Sequence, residues 1–255
     1  MRSISTLTLL ATSAALGAHM VSSTPAHAED KSVGKSATVT TTSESAGAYY
    51  AITSDLRKCA TPLCGGWFLA QVNQPTTQCH DGRLAAQCYA PVLDWSRAGL
   101  SDAKEDELLE ASRNAAVDGQ VYAIVRGTFA PTNDTPRPEL GRFIVTEAWV
   151  VEGDSHASGT FVWVRDNGLR CFAAPCRNLT ERTLNTSGVT DIAEVDFAPA
   201  GLSDSQREVC TADMYGPNGL IVAGSRYTVH ANGSTAPGRT ASAAYRRLSD
   251  EAPVQ

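Results

Sequence analysis

The sequence has few of the residues and motifs that catalysis or nucleic-acid binding requires. It contains 21 Lys and Arg against 27 Asp and Glu, a net charge of −6, and no basic block. That balance argues against nucleic acid or an anionic membrane surface as a partner. Of its 5 histidines, those beyond the N-terminal segment are His80, His156 and His230, which lack the spacing of metal ligands. Neither a Gly-x-Ser-x-Gly elbow nor a glycine-rich phosphate loop before a helix is present, so the sequence favours a non-enzymatic protein without a cofactor.

Long apolar runs are also missing, apart from one at the N terminus. Arg2, the apolar residues 7–18 and the small-x-small motif Ala26-His27-Ala28 have the order of a secretory signal peptide. The run is shorter than the roughly 20 residues that a transmembrane helix needs. We therefore predict a signal peptide over residues 1–28, cleavage near Ala28, and a secreted, periplasmic or extracellular protein without a transmembrane segment. Residues 29–47 are rich in Ser and Thr and are predicted to form a flexible leader.

What the sequence does contain is an internal repetition. The stretch Cys59-Ala-Thr-Pro-Leu-Cys64 is matched by Cys171-Phe-Ala-Ala-Pro-Cys176. Further on, Asp94-Trp-Ser-Arg-Ala-Gly-Leu-Ser-Asp is matched by Asp196-Phe-Ala-Pro-Ala-Gly-Leu-Ser-Asp. Because order, spacing and turn residues all recur, we interpret residues 48–152 and 159–249 as two tandem repeats.

The residue pattern within each repeat predicts the fold class. Aromatic and β-branched runs flank the two-cysteine loops and read as strands. Ser101 and Ser203 are good helix N-caps, and Gln206 completes a capping box with Ser203. Each repeat reads roughly as β-β-β-α-β-β. The predicted fold is therefore α+β, with two tandem repeats that each have a mainly antiparallel sheet and one helix.

The 7 cysteines all follow the predicted signal peptide, where disulfides are expected. Four cysteines in the first repeat allow three pairings, but the second repeat has no counterpart of Cys79 and Cys88. This favours the pairs Cys59–Cys64, Cys79–Cys88 and Cys171–Cys176. The alternative is a zinc site built from the two Cys-x4-Cys loops, which the wide Cys spacing and export disfavour.

Cys210 is left over after these pairings. It takes the place of Leu108 in the other repeat, and a position that accepts Leu is most simply a core-facing position on the helix. We predict that Cys210 is a free buried thiol that packs as a small apolar side chain.

A few other residues could carry chemistry. His80 with Asp81 is the only local acid–base pair, although it lies in a polar turn between two cysteines. The four tryptophans fall on predicted strands and suit core packing, or a carbohydrate platform if several rings were exposed on one face; they are Trp67, Trp95, Trp149 and Trp163. Glycosylation motifs occur at Asn133, Asn178, Asn185 and Asn232, and their use depends on the host.

Several of these motifs together resemble a known family. The run Arg57-Lys-Cys-Ala-Thr-Pro-Leu-Cys-Gly-Gly-Trp-Phe, the later Cys79-His-Asp-Gly, Cys88-Tyr and Asp94-Trp-Ser-x-x-Gly-Leu-Ser are similar to those of an uncharacterised family of secreted bacterial domains. The resemblance covers residues 48–151 well and the second half more loosely, since Arg177-Asn178 replaces the Gly-Gly pair. It implies export and disulfides, and no activity is assigned to the family.

The sequence as a whole favours an exported, disulfide-containing protein that binds an unknown protein or small ligand. The predicted contact surface is the first two-cysteine loop, with Arg57, Lys58, Leu63 and Trp67, because a bridged loop loses little entropy on binding. Three alternatives remain. An exported hydrolase requires a cleft with convergent polar groups; a protease inhibitor would present the Cys59–Cys64 loop in an extended conformation; a structural envelope protein would have no soluble ligand.

Overall fold

The computed structural model describes residues 47–133 and 136–249, so the predicted signal peptide and all but the last residue of the predicted leader lie outside the described residues. Strand accounts for 41% and helix for 17% of the structure. The strands are β1 (Ala48–Ser54), β2 (Trp67–Gln71), β3 (Thr77–Gln78), β4 (Leu84–Ala85), β5 (Cys88–Ala90), β6 (Leu93–Asp94), β7 (Ala123–Ala130), β8 (Arg142–Val151), β9 (Thr160–Asp166), β10 (Leu179–Thr183), β11 (Val189–Ile192), β12 (Val195–Asp196), β13 (Leu220–Ala231) and β14 (Ser234–Arg247). The helices are α1 (Asp102–Asp118) and α2 (Asp204–Tyr215), with short 3-10 turns at Pro138–Leu140 and Ala198–Ala200.

All strands except the hairpin β3–β4 belong to one 12-stranded sheet. Its order is β11-β10-β9-β13-β14-β8-β7-β1-β2-β5, and these neighbours are antiparallel. The short strands β6 and β12 add parallel pairings to β8 and β14. The predicted fold class, two tandem α+β repeats, is therefore wrong, and the fold is mainly β. The prediction of two separate sheets fails because β8 and β14 pair through their last residues, with Val150 opposite Arg246. This pairing joins the strands of both halves into one sheet.

The order of the strands is the same when read outward from either side of this central pair. On one side β8 is followed by β7, β1, β2 and β5, and on the other side β14 is followed by β13, β9, β10 and β11. Both β7 and β13 have a register shift immediately before a glycine, Gly127 and Gly224. At Gly224 a Cβ atom would clash with the Thr240 carbonyl oxygen, so the close approach of the strands requires glycine there. We refer to residues 48–151 and 160–247 as the first and second half.

The two helices begin where the sequence predicts. Ser203 and Gln206 form the predicted capping box: the Ser203 hydroxyl accepts from Gln206 N–H (3.3 Å), and Gln206 Oε1 accepts from Ser203 N–H (2.9 Å). Ser101 is the N-cap residue of α1, and Gly119, with φ of 74°, ends that helix in the left-handed conformation. Each helix packs its apolar side on the sheet of its own half.

Three apolar cores result from the alternation of strand residues between the two faces of the sheet. In β7, Val125 faces a first core together with Leu108 of α1. In β13, Val222 faces a second core together with Cys210 of α2. A third core on the opposite face, which we call the shared core, contains residues of both halves: Val72, Ile124, Trp149, Leu184, Ile221, Ala223, Ala243 and Tyr245.

Two asparagines connect the outer strands beside the shared core. Asn73, which follows β2, donates from Nδ2 to the carbonyl oxygens of Phe161 (2.7 Å) and Leu184 (3.1 Å). Its Oδ1 accepts from Phe161 N–H (2.9 Å). Asn73 and Asn185 both have left-handed backbone conformations, with φ of 59° and 58°, which Asn tolerates better than most residues.

Asn185, which follows β10, makes the corresponding set of bonds. Its Nδ2 donates to the carbonyl oxygens of Tyr49 (2.8 Å) and Val72 (2.9 Å), and its Oδ1 accepts from Tyr49 N–H (2.8 Å). Because β13, β14, β8 and β7 lie between β9 and β1 in the sheet, these bonds require that the sheet curls until its two wings meet. We call Asn73 and Asn185 the asparagine clasp.

Candidate functional site

The segment between β1 and β2, residues 55–66, is closed by a disulfide and forms the first disulfide loop. The structure contains the bonds Cys59–Cys64, Cys79–Cys88 and Cys171–Cys176. These are the pairs that the comparison of the two repeats favoured. The Cys59 and Cys64 Cα atoms are 5.7 Å apart, so the bond closes a short turn within this segment.

A buried carboxylate fixes the entrance of this loop. Asp55 is only 6% exposed, and both of its oxygens accept from the Arg57 guanidinium, Oδ1 from Nε and Oδ2 from Nη2, each at 2.8 Å. Asp55 Oδ1 also accepts from the Arg57 backbone N–H (3.0 Å). The hydrogen bonds from Arg57 lower the pKa of the Asp55 carboxyl, so Asp55 is ionised in the fold.

Arg57 and Tyr89 hold the rest of the loop. Arg57 Nη2 donates to the Leu63 carbonyl oxygen (3.2 Å), and its guanidinium lies over the rings of Phe68 and Tyr89, 5.2 and 5.7 Å from their centroids. The Tyr89 hydroxyl donates to the Pro62 carbonyl oxygen (2.9 Å) and accepts from Gly66 N–H (3.2 Å). Burial raises the pKa of Tyr89, which keeps this hydroxyl protonated as a donor. The loop is therefore held by side chains as well as by its disulfide.

The four residues predicted for the contact surface divide into two groups. Leu63 is 47% exposed, and Arg57 and Lys58 are also exposed on the loop. Trp67 instead is half-buried against the first core, where it supports β2. Leu56, which the sequence analysis did not single out, is 56% exposed beside Arg57. The outer surface of the loop thus combines two leucines with two cations.

The second disulfide loop, residues 167–178, has a similar design. The Asp166 carboxylate accepts from both Nη atoms of Arg170 (2.8 and 3.0 Å), and Asn232 Nδ2 donates to the Ala174 carbonyl oxygen (3.3 Å). Phe172 projects fully into solvent, and Leu169 is also exposed. Because β1 and β9 run in opposite directions through the sheet, the two loops leave it at opposite ends. One small ligand cannot contact both loops.

The two members of the candidate acid–base pair, His80 and Asp81, contact different neighbours. Asp81 binds Arg83, with Oδ2 accepting from Nε at 2.5 Å, and within the described residues no hydrogen bond joins it to His80. The His80 ring packs on Gly141, where a Cβ atom would lie 2.5 Å from the ring. The groove beside His80 has a volume of about 280 Å³, and Glu139 is a further carboxylate on its wall.

The remaining candidate residues have structural positions. Cys210 is a free, fully buried thiol, and burial raises its pKa to about 12, so it stays protonated and unreactive.

Among residues 47–133 and 136–249, no group of three or more His, Cys, Asp or Glu side chains could hold a metal ion. Trp67 and Trp95 pack on the first core, while Trp149 and Trp163 belong to the shared core, so the rings do not share one exposed face. In the described part of the chain, no helix is long and apolar enough to cross a bilayer.

Sequence reasoning missed the side chains that hold the first disulfide loop, namely Asp55, Phe68 and Tyr89. One signal was available: an acid and an arginine stand close together before each two-cysteine motif, Asp55 with Arg57 and Asp166 with Arg170. The stacking of Phe68 and Tyr89 under Arg57 depends on the pairing of β2 with β5, which the sequence does not reveal.

Comparisons with known proteins place the chain in one family. No curated protein and no solved structure matches the chain. One family model matches residues 48–251, which is nearly everything that the structure describes. The chain therefore belongs to the family described as a domain of unknown function, DUF6748.

Proposed function

We propose that the chain is an exported bacterial protein that binds a partner protein through its first disulfide loop. Three disulfides favour an oxidising compartment outside the cytoplasm. The N-terminal residues 1–28, with their signal-like pattern, supply the route to that compartment. Bacterial origin follows from the resemblance of the cysteine motifs to secreted bacterial domains.

The observation that carries the binding proposal is the exposure of Leu56 and Leu63 on a loop that is already rigid. Their relative exposures are 56% and 47%. The Cys59–Cys64 bond and the contacts of Arg57 and Tyr89 order the loop before it meets a partner. Binding therefore costs little loop entropy, and two apolar side chains can be buried at once.

The shape of this surface favours a protein over a small ligand. Small-molecule sites are concave and surround most of the ligand, whereas Leu56, Lys58 and Leu63 are exposed to solvent on the loop. Exposed leucines next to Arg57 and Lys58 suit a partner surface that combines an apolar patch with carboxylates.

The alternatives have less support. A protease inhibitor would need an extended loop, but Leu63 N–H donates to the Ala60 carbonyl oxygen (3.0 Å) in a tight turn between the two cysteines. For an exported hydrolase, the candidate carboxylate Asp81 is engaged by Arg83, and among the described residues no hydrogen bond joins it to His80. A structural envelope protein remains the outcome if no partner contacts the loop.

We also propose a common origin for residues 48–152 and 159–249. The matching strand order on both sides of the β8–β14 pair and the register shifts at Gly127 and Gly224 support it. In that view, the second disulfide loop began as a copy of the first, with Phe172 at the position of Ala60 and Pro175 at the position of Leu63.

A site-specific photo-crosslinking experiment tests the binding proposal. A photoreactive amino acid is placed at Leu63 and, in a control, at Val117, which is equally apolar and more exposed but lies on α1. We expect one discrete crosslinked partner from position 63 and none from position 117 when the protein is produced in its native host. With the purified partner, the double variant Lys58→Glu/Leu63→Asp should bind at least about tenfold more weakly than wild type, since it loses apolar burial and reverses a charge.

Val117→Asp is the matched control for that measurement and should bind as wild type does. Equal crosslinking from both positions, or unchanged affinity in the double variant, would show that the loop is not the contact surface.

A further inference from the structure

A buried ion pair lies in the second half and joins two strands of its sheet. Glu181 on β10 is 0% exposed and Arg239 on β14 is 3% exposed. Arg239 donates to both carboxylate oxygens of Glu181, from Nε to Oε2 (2.5 Å) and from Nη2 to Oε1 (3.0 Å). Its remaining nitrogen, Nη1, donates to the Gly224 carbonyl oxygen (2.9 Å). Every nitrogen of the Arg239 guanidinium is therefore occupied within the protein.

A second arginine stands on the same carboxylate but reaches solvent. Arg226 on β13 donates from Nε to Glu181 Oε1 (2.5 Å) and from Nη2 to the Thr190 hydroxyl (2.7 Å). Its side chain is 47% exposed. Among the described residues, Nη1 of Arg226 has no hydrogen-bond partner, so one edge of the guanidinium is fixed and its end faces outward.

Both arginines line a polar groove of about 510 Å³. Hydroxyl side chains form much of its wall: Thr160, Thr183, Thr190 and Ser225. An adjoining groove of about 410 Å³ lies on the other side of Arg226 and includes Arg177. With one carboxylate against two guanidinium groups, the first groove has an excess positive charge in a chain whose net charge is −6.

The fold itself does not require these charges. Glu181 occupies the position that Leu69 has in the first half: Glu181 pairs with Val164 on the neighbouring strand, and Leu69 pairs with Ile52. The pair Arg226 and Arg239 likewise occupies the position of the pair Phe129 and Phe143 in the first half. The rings of the two phenylalanines pack edge to face, with their centroids 5.1 Å apart.

The same arrangement of strands is thus filled by an apolar and aromatic cluster in one half and by ion pairs in the other. Burial of an ion pair is costly, and apolar replacements of similar volume are often neutral or stabilising. The corresponding groove in the first half, about 400 Å³, is lined by Tyr50, Phe129 and His80, and none of its described lining residues is an arginine.

We propose that this groove binds the oxyanion group, a carboxylate or a phosphate, of a small hydroxylated ligand. Arg226 contacts the oxyanion through the outward end of its guanidinium, since Glu181 and Thr190 hold its other edge in place. Arg239 neutralises Glu181, which prevents that buried carboxylate from repelling the ligand. The threonine and serine hydroxyls of the wall supply further hydrogen bonds to the ligand's hydroxyl groups.

The test is isothermal titration of the folded protein with two probes at low ionic strength, inorganic phosphate and glucuronate, with chloride as the reference anion. We expect saturable binding of at least one probe by wild type, and a loss of at least about tenfold in affinity in Arg226→Gln. Binding of phosphate alone assigns a phosphate-bearing ligand, and binding of glucuronate alone assigns a sugar acid. Arg113→Gln, which removes the same charge from an exposed position on α1, should bind as wild type does.

Two further measurements separate binding from folding. The triple variant Glu181→Leu/Arg226→Phe/Arg239→Phe carries the residues of the first half, and we expect it to unfold cooperatively but to bind neither probe. The second measurement uses wild type alone. When the probe that binds is added, the amide chemical shifts of Gly188, Gly224 and Ser225 should change. The proposal is overturned if wild type binds neither probe, if Arg226→Gln binds within about twofold of wild type, or if the shift changes cluster outside the groove.

Discussion

At the scale of single residues, the asparagine clasp shows how two neutral side chains can join distant strands. An asparagine amide both donates and accepts, so each side chain can satisfy backbone groups of both kinds at once. Asn73 and Asn185 also hold left-handed backbone conformations, which Ala at the same place would strain. The amide nitrogen of Asn185 is already shared between Tyr49 and Val72, so the glycosylation motif at Asn185 is not available for modification in the folded chain.

Replacement of a clasp residue should destabilise the protein strongly. Asn73→Ala loses three hydrogen bonds and leaves backbone groups of Phe161 and Leu184 unsatisfied. We expect the free energy of unfolding, measured by urea titration, to fall by about 2–4 kcal/mol. Asn178→Ala removes one exposed bond to the Tyr215 hydroxyl and should cost no more than about 1 kcal/mol. Similar losses in both variants would contradict a special role for the clasp.

Individual residues differ in how far the sequence could place them. The cysteine pairs were predictable because the second half lacks Cys79 and Cys88. The clasp was within reach, since Asn73 and Asn185 are separated by the same number of residues as Cys59 and Cys171. The burial of Glu181 could not be predicted, because a charged residue in a strand is expected to be exposed and its partner Arg239 lies 58 residues away.

At the scale of elements, the starts of the helices were predicted from local signals, whereas the division of a segment into two short strands was not. The capping box at Ser203 and the glycine after α1 act within a few residues, so the sequence contains the whole signal. Residues 189–196 are divided into β11 and β12, because β11 pairs with β10 whereas Val195 pairs in parallel with β14. The position of this division depends on pairing with β14, which lies about 40 residues further along the chain.

The first disulfide loop should make the stability of the protein depend on pH. An aspartate in an unfolded chain has a pKa of about 3.9, and the pKa of Asp55 in the fold is lower because of its bonds to Arg57. A lowered pKa in the folded state contributes stability that is fully present above the unfolded pKa. This contribution is lost as the pH falls through the folded pKa.

The variant Asp55→Asn isolates this contribution. We expect it to be less stable than wild type by about 1–3 kcal/mol at pH 7 and to approach wild type near pH 2, as judged by urea unfolding at both pH values. The control Glu107→Gln breaks an exposed pair with Lys104 and should change stability little at either pH. If Asp55→Asn and wild type differ in free energy of unfolding as much at pH 2 as at pH 7, the ionised Asp55 is not the source of the pH dependence.

At the scale of the whole molecule, the fold class was the part that sequence reasoning predicted wrongly. Each half does contain strands, one helix and a two-cysteine loop in the predicted order. What the sequence could not reveal is that β8 and β14 pair with each other and that the clasp brings the wings of the sheet together. Both contacts join residues about a hundred positions apart, for which local patterns contain no signal.

The shared core predicts that the first half does not fold alone. A chain of residues 47–152 would expose Trp149 and Ile124 on one face and leave β8 without β14 along its last residues. We expect poorly dispersed amide resonances and no cooperative thermal transition for this chain, while residues 47–249 should show both dispersion and a sharp transition. A well-dispersed spectrum from residues 47–152 would mean that the shared core is dispensable.

The position of β14 along the chain has a consequence for biosynthesis. It pairs with β13, β8 and β12, yet among the described strands it is the last to be synthesised. Until its residues emerge, β8 and β13 each lack a neighbour, and the growing polypeptide has no closed sheet to settle into. Closure of the sheet therefore waits for the synthesis of β14, so the described fold cannot form before residues 234–247 have been made.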